Sequence, residues 1–165
     1  MRRKKIIYLA VPFILAMVFS SSVSGDEFHR HHLDVTVGNT QEGFNEHGFT
    51  IGADYEYRFN WLFGLGGTVE YTGGDFEHWL GFVTMFFHPN ERWEFVLAPG
   101  TEIEKGTRDR NFIFRTGIAY EFHLGERYAI APEFFVDFSE NETLFVYGLS
   151  FGIGFCFASS IQSLD

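Results

Sequence analysis

From Phe145 to Phe157 the chain alternates with a period of two. Phe145, Tyr147, Leu149, Phe151, Ile153, Phe155 and Phe157 fall on one face, and Val146, Gly148, Ser150, Gly152, Gly154 and Cys156 on the other. A helix would scatter these large side chains around its whole circumference, whereas successive residues of a strand point to opposite faces. At about 3.3 Å per residue, a strand of this length is long enough to cross a bilayer at a tilt.

The same alternation recurs along the chain. Residues 48–59 set Phe49, Ile51, Ala53, Tyr55, Tyr57 and Phe59 against Thr50, Gly52, Asp54, Glu56 and Arg58. Residues 111–123 set Phe112, Phe114, Thr116, Ile118, Tyr120 and Phe122 against Arg115, Gly117, Ala119, Glu121 and His123. Residues 128–138 repeat it, with Glu133 and Asp137 on the more polar face. Weaker versions lie at 31–39, 61–72 and 92–103, and 77–87 is apolar on both faces, so its inward side is not assigned. The expectation is eight strands within about 28–157. They are joined near 40–47, 60–61, 73–76, 88–91, 104–110, 124–126 and 139–142 by segments rich in Gly, Asn, Asp, Glu and Pro, as turns require. No linker or shift in composition divides them, so residues 26–165 are read as one domain.

The start of the chain is different. Arg2, Arg3, Lys4 and Lys5 precede an apolar run from Ile6 to Phe19 and a small polar stretch, Ser20–Gly25. That order is the signature of a secretory signal peptide over residues 1–25, and the run is short for a membrane helix. Without it, 8 Lys and Arg remain against 22 Asp and Glu, a net charge of −14. Nucleic acid needs basic patches, so it is excluded as a partner. A single Cys allows neither an internal disulfide nor a multi-cysteine zinc site.

An exported all-β chain of this kind admits two closed architectures. A soluble lipocalin-like barrel puts the apolar face inside; a membrane barrel turns it outward to lipid. The polar face here is dominated by Gly, Ala, Ser and Thr beside the charges, which suits a crowded interior better than a solvated surface. Aromatic residues gather towards strand ends. Tyr57, Phe59, Trp61, Trp93, Tyr120 and Tyr128 fall at one end, with Phe122, Phe155 and Phe157; Tyr71, Trp79, Phe112, Phe138, Phe145 and Tyr147 fall at the other. Two such girdles mark membrane interfaces. An even strand number allows closure, which lipid demands of any sheet. The expected fold is therefore an eight-stranded antiparallel up-and-down transmembrane β-barrel with a polar interior.

Ser150-x-Gly152-x-x-Phe155-x-Phe157 resembles the terminal signal of outer-membrane barrels: polar, x, Gly, x, x, hydrophobic, x, aromatic. In length and pattern, nearly all of residues 28–157 is similar to the small barrels of the OmpA/OmpX/OmpW type. One departure is that Ala158–Asp165 follow the aromatic residue that ordinarily ends such chains. The resemblance implies an integral protein of a Gram-negative outer membrane, monomeric, with both termini periplasmic. Its implied partners are membrane lipids, lipopolysaccharide and, during biogenesis, the barrel-assembly machinery; no cofactor is implied. The acidic outer links, with Glu42, Glu46, Asp75, Glu77, Glu140 and Glu142, are expected to meet lipid phosphates through divalent cations, and Lys105, Arg108 and Arg110 form an ordinary charged loop.

The inward face is expected to carry a charge network of Asp34, Asp54, Glu56, Arg58, Glu70, Glu94, Arg115, Glu121, His123, Glu133 and Asp137, with Glu102 and His32 beside it. Ions enclosed by eight strands must pair, stay hydrated, bind a cation or take up protons. No metal site is expected: His29 and His31 share one strand face while His32 points to the other. No catalytic residue is expected either, since neither Ser150 nor Ser139 has a His placed near it by the alternation. The expected function is a non-enzymatic structural or interaction barrel without a wide pore. The alternative is a narrow channel for small or apolar solutes, and a lipid A-modifying enzyme stands third.

Overall fold

The computed structural model describes residues 29–43, 46–104, 106, 110–140 and 142–155. The signal-peptide reading, Lys105, Arg108, Cys156, Phe157 and the tail from Ala158 lie outside them.

Among the described residues nine strands follow in order: β1 (His31–Glu42), β2 (Glu46–Arg58), β3 (Phe63–Thr72), β4 (His78–Phe87), β5 (Trp93–Glu104), β6 (Arg110–Tyr120), β7 (Phe122–His123), β8 (Tyr128–Ser139) and β9 (Thr143–Phe155). Each pairs antiparallel with its neighbours, β9 pairs with β1, and β6 pairs with β8, so the sheet closes on itself. The two-residue β7 continues β6 on β8 in unshifted register. The barrel is thus eight strands round, its sixth broken at Glu121. Pro132, with no N–H to donate, lies in the stretch of β8 that faces this break. Pro99 faces a similar gap in the β4–β5 ladder, between the pairs Phe82–Gly100 and Met85–Leu97.

Closure fixes the tilt. The paired partners run from His31 through Tyr57, Leu65, Met85, Leu97, Thr116, Val136 and Phe145 and return to β1 at Gln41, ten residues beyond the start. A stagger of that size over eight strands tilts them by about 40° from the barrel axis. His31 pairs with Phe155, so both described termini share one end, here the proximal end.

Two strands run further than the alternation suggested. The expected link 40–47 contracts, because β1 reaches Glu42 and β2 starts at Glu46, and Thr40 and Thr50 share a 2.6 Å hydrogen bond inside the lumen. Polar side chains there resemble a turn, yet the backbone ladder continues under them. At the proximal end one device recurs. Asn60 Oδ1 accepts from the Leu62 and Phe63 amides, and Asn90 Oδ1 from the Arg92 and Trp93 amides, closing the β2–β3 and β4–β5 links.

Large apolar residues are mostly on the outside. Val35, Val69, Val83, Leu97, Leu149 and Phe151 are about half exposed and run as a band across the strands. The inward side of β4 is now assigned: His78, Leu80, Phe82, Thr84 and Phe86 point into the lumen. Leu80, Phe82 and Phe86 join Val96, Ala98, Ile113, Phe135 and Val146 in a buried apolar cluster. The interior is therefore polar in its threonines and ions and apolar along β4, β5 and the barrel wall beyond.

Glycines make room for these bulky inward residues. Gly117 is paired with Phe135, and a Cβ there would press on the Phe135 ring and lie 2.6 Å from the Phe134 carbonyl oxygen. Neither neighbour is a flexible tip. Gly117→Ala is expected to destabilise the barrel by about 1–3 kcal/mol, as overpacking does. Urea unfolding in lipid vesicles checks this; an unchanged midpoint would mean the wall yields freely.

Candidate functional site

The lumen is the candidate site, and its polar side chains fall into three levels. At the proximal end, Glu56 and Arg58 lie in the last three residues of β2, Glu94 is the second residue of β5, and Glu121 sits at the break after β6. Arg58 donates from Nε to Glu56 Oε2 at 2.9 Å and from Nη2 to Glu121 Oε1 at 3.2 Å. His88 Nε2 lies 2.8 Å from Glu56 Oε1 and 3.9 Å from Glu94 Oε2. His123 Nε2 pairs with Glu121 at 3.2 Å on the exposed rim.

At mid-height Arg115 ties three strands together. Its Nε and Nη2 donate to Asp137 at 2.7 Å each, and Nη1 and Nη2 donate to Glu70 at 2.7 and 2.9 Å. Asp137 is its pairing partner on β8, whereas Glu70 reaches from β3 across the lumen. The guanidinium also lies 4.4 Å from the Phe82 ring centroid and 5.0 Å from that of Phe135. Two bidentate carboxylates and two aromatic faces use both its fork and its flat surface. All three ionic groups are buried.

Asp34 and Asp54 are paired across β1 and β2 and both face inward. The Thr68 hydroxyl donates to Asp54 and meets Thr84 at 2.8 Å. Glu133 is enclosed, and its Oε1 has no hydrogen-bond partner among the described residues. Towards the distal end, Thr40, Thr50 and Thr72 form a hydroxyl ladder, and His78 Nδ1 lies 2.7 Å from Glu102.

The eleven residues expected in the network are thus divided rather than joined. Glu56, Arg58, Glu94, Glu121 and His123 gather proximally; Glu70, Arg115 and Asp137 form the central knot; Asp34, Asp54 and Glu133 line the cavity between them. His88 and His78 are additions. His88 stands in what reads as a turn, yet it keeps the parity of Thr84 and Phe86, and that was the signal available. Sequence reading placed no metal ligands, whereas Glu56, His88 and Glu94 bring three ligand atoms within 4.8 Å of one another.

The expected girdle residues lie together at the proximal rim. Tyr57 meets Phe59 edge-on at 5.4 Å, Trp93 meets Tyr120 at 4.8 Å, and Tyr128 stacks on Phe151 at 5.9 Å, while Trp61 is exposed. Of the terminal signal, Ser150 and Gly152 face the lumen, and Phe155 stacks on His31 at 5.5 Å.

Solved structures share this architecture. The N-terminal β-barrel domain of Pseudomonas aeruginosa OprF superimposes with a TM-score of 0.57 at 12% identity, covering 78% of this chain and all of that one. The fold is that of the small eight-stranded outer-membrane barrels. Yersinia pestis Ail in a phospholipid nanodisc gives 0.50 at 15% identity, over 75% of this chain and 99% of that one. The designed barrel TMB2.3 gives 0.53 at 13%, over 78% and 97%. No protein-family model and no curated protein matches the sequence. At these identities the outer-membrane barrel likeness concerns the backbone alone.

Proposed function

We propose that the protein is a non-enzymatic integral barrel of a bacterial outer membrane, with a structural or interaction role and no wide pore. The outward apolar band and the rim aromatics support membrane insertion, since a water-soluble monomer rarely exposes a contiguous apolar surface of this extent. The Arg115 knot carries the second half of the reading. It spans the lumen from β3 to β8 between two phenyl rings, and the cavity beside it holds only about 40 Å³. That is room for a few waters, not a file of hydrated solutes. Ser150 Oγ lies 3.4 Å from the Ala131 carbonyl oxygen, the contact of a packed hydroxyl rather than of an activated nucleophile.

In planar lipid bilayers the purified barrel is expected to give no discrete conductance steps. Reproducible steps that disappear when the barrel is heat-denatured would overturn the closed-lumen reading and favour the narrow channel.

A further inference from the structure

We propose that Glu56, His88 and Glu94 form a binding site for one divalent transition-metal ion of the zinc class. An imidazole nitrogen and two carboxylate oxygens within 4.8 Å of one another need to draw in only slightly to share an ion. Nitrogen and oxygen ligands in that ratio, with a further position left for water, are a donor set that zinc accepts.

Two further observations point to a ligand. Glu94 is enclosed by the barrel, with its side chain 16% exposed, and it lines the lumen cavity. Among the described residues its near polar contact is His88 Nε2, at 3.9 Å, beyond hydrogen-bond reach. The part-buried Glu94 carboxylate makes no hydrogen bond among the described residues and faces His88 Nε2 across 3.9 Å, a separation that a shared ion would bridge. The local charge also fails to balance. Arg58 is the one permanent cation paired with Glu56 and Glu121 among the described residues; Glu94, Glu121, Asp34, Asp54 and Glu133 all line one cavity, where Arg115, the cation beside them, is committed to Glu70 and Asp137. A dication at His88 Nε2 reduces that excess and displaces the proton shared with Glu56. Arg58 already holds the other oxygen of Glu56, orienting the carboxylate as an outer-shell partner does.

The test uses the full chain refolded in detergent, with zinc as the probe in isothermal titration and cobalt as its spectroscopic substitute. One ion per chain is expected, with cobalt bands of a four- or five-coordinate N,O site. Glu94→Gln keeps the side-chain shape and breaks no hydrogen bond, so the barrel should fold, while affinity falls on the order of 100-fold. His88→Gln should lose binding as well, and His78→Gln, at the distal end, should keep it. Absence of stoichiometric zinc binding overturns the proposal. So does unchanged affinity in Glu94→Gln, or loss of binding in His29→Gln/His31→Gln, which would move the ion to the histidines at the start of β1.

Discussion

Arg115→Met is expected to destabilise the barrel by about 3–5 kcal/mol, because it leaves two buried carboxylates without their cation. Glu70 and Asp137 are 2% and 0% exposed, and Arg115 supplies four hydrogen bonds to them. Neither acid has room to turn to solvent. Much of the effect is therefore the penalty of unpaired charge rather than the worth of the pairs. A triple variant separates the two: Arg115→Met with Glu70→Gln and Asp137→Asn removes every charge of the knot while keeping its volume. It should recover most of the lost stability. The measurement is urea unfolding in phospholipid vesicles, read by tryptophan fluorescence. If Arg115→Met unfolds at the wild-type midpoint, the knot does not hold the lumen together, and the closed-lumen reading loses its support.

Val83→Arg is the second large effect, and it addresses the outside of the barrel. Val83 is 60% exposed near the middle of β4, between inward-facing Phe82 and Thr84. In lipid, an arginine at mid-depth costs about 2–4 kcal/mol, and one near an interface about 0–1. Phe59→Arg, at the proximal rim, should accordingly be mild, although Phe59 is similarly exposed at 54%. A barrel that stood in water would show no such dependence on depth. Equal effects at the two positions, with both variants folded, would count against membrane insertion.

The faces of most strands were legible because one member of each alternating pair is small or ionic. On β2, Thr50, Gly52, Asp54, Glu56 and Arg58 leave no choice about which side goes inward once lipid is outside. On β4 the same reasoning failed, since Leu80, Phe82 and Phe86 oppose Trp79, Val83 and Met85, and both sets are apolar. Only the β3 and β5 registers, with Glu70 against Leu80 and Gly100 against Phe82, settle it. Strand limits were less legible. Gln41, Glu42, Glu46 and His47 have turn-like chemistry, but antiparallel ladders satisfy their backbones as well as water would. The break at Glu121 was marked beforehand by Pro132, whose meaning depends on knowing which residues it faces.

The sequence by itself determined the strand order, the inward and outward faces of most strands and the acid-rich lumen. These follow from local geometry: a period of two, short links, and the sorting of large from small side chains. It did not determine which charges meet. Arg115 finds Glu70 from 45 positions away, and His88 finds Glu56 from 32. Those contacts run through the pairing around the barrel, where each register sets the height at which the next strand presents its side chains. Closure adds a stagger of ten residues that no single strand encodes. The central knot and the Glu56–His88–Glu94 cluster therefore belong to the closed sheet.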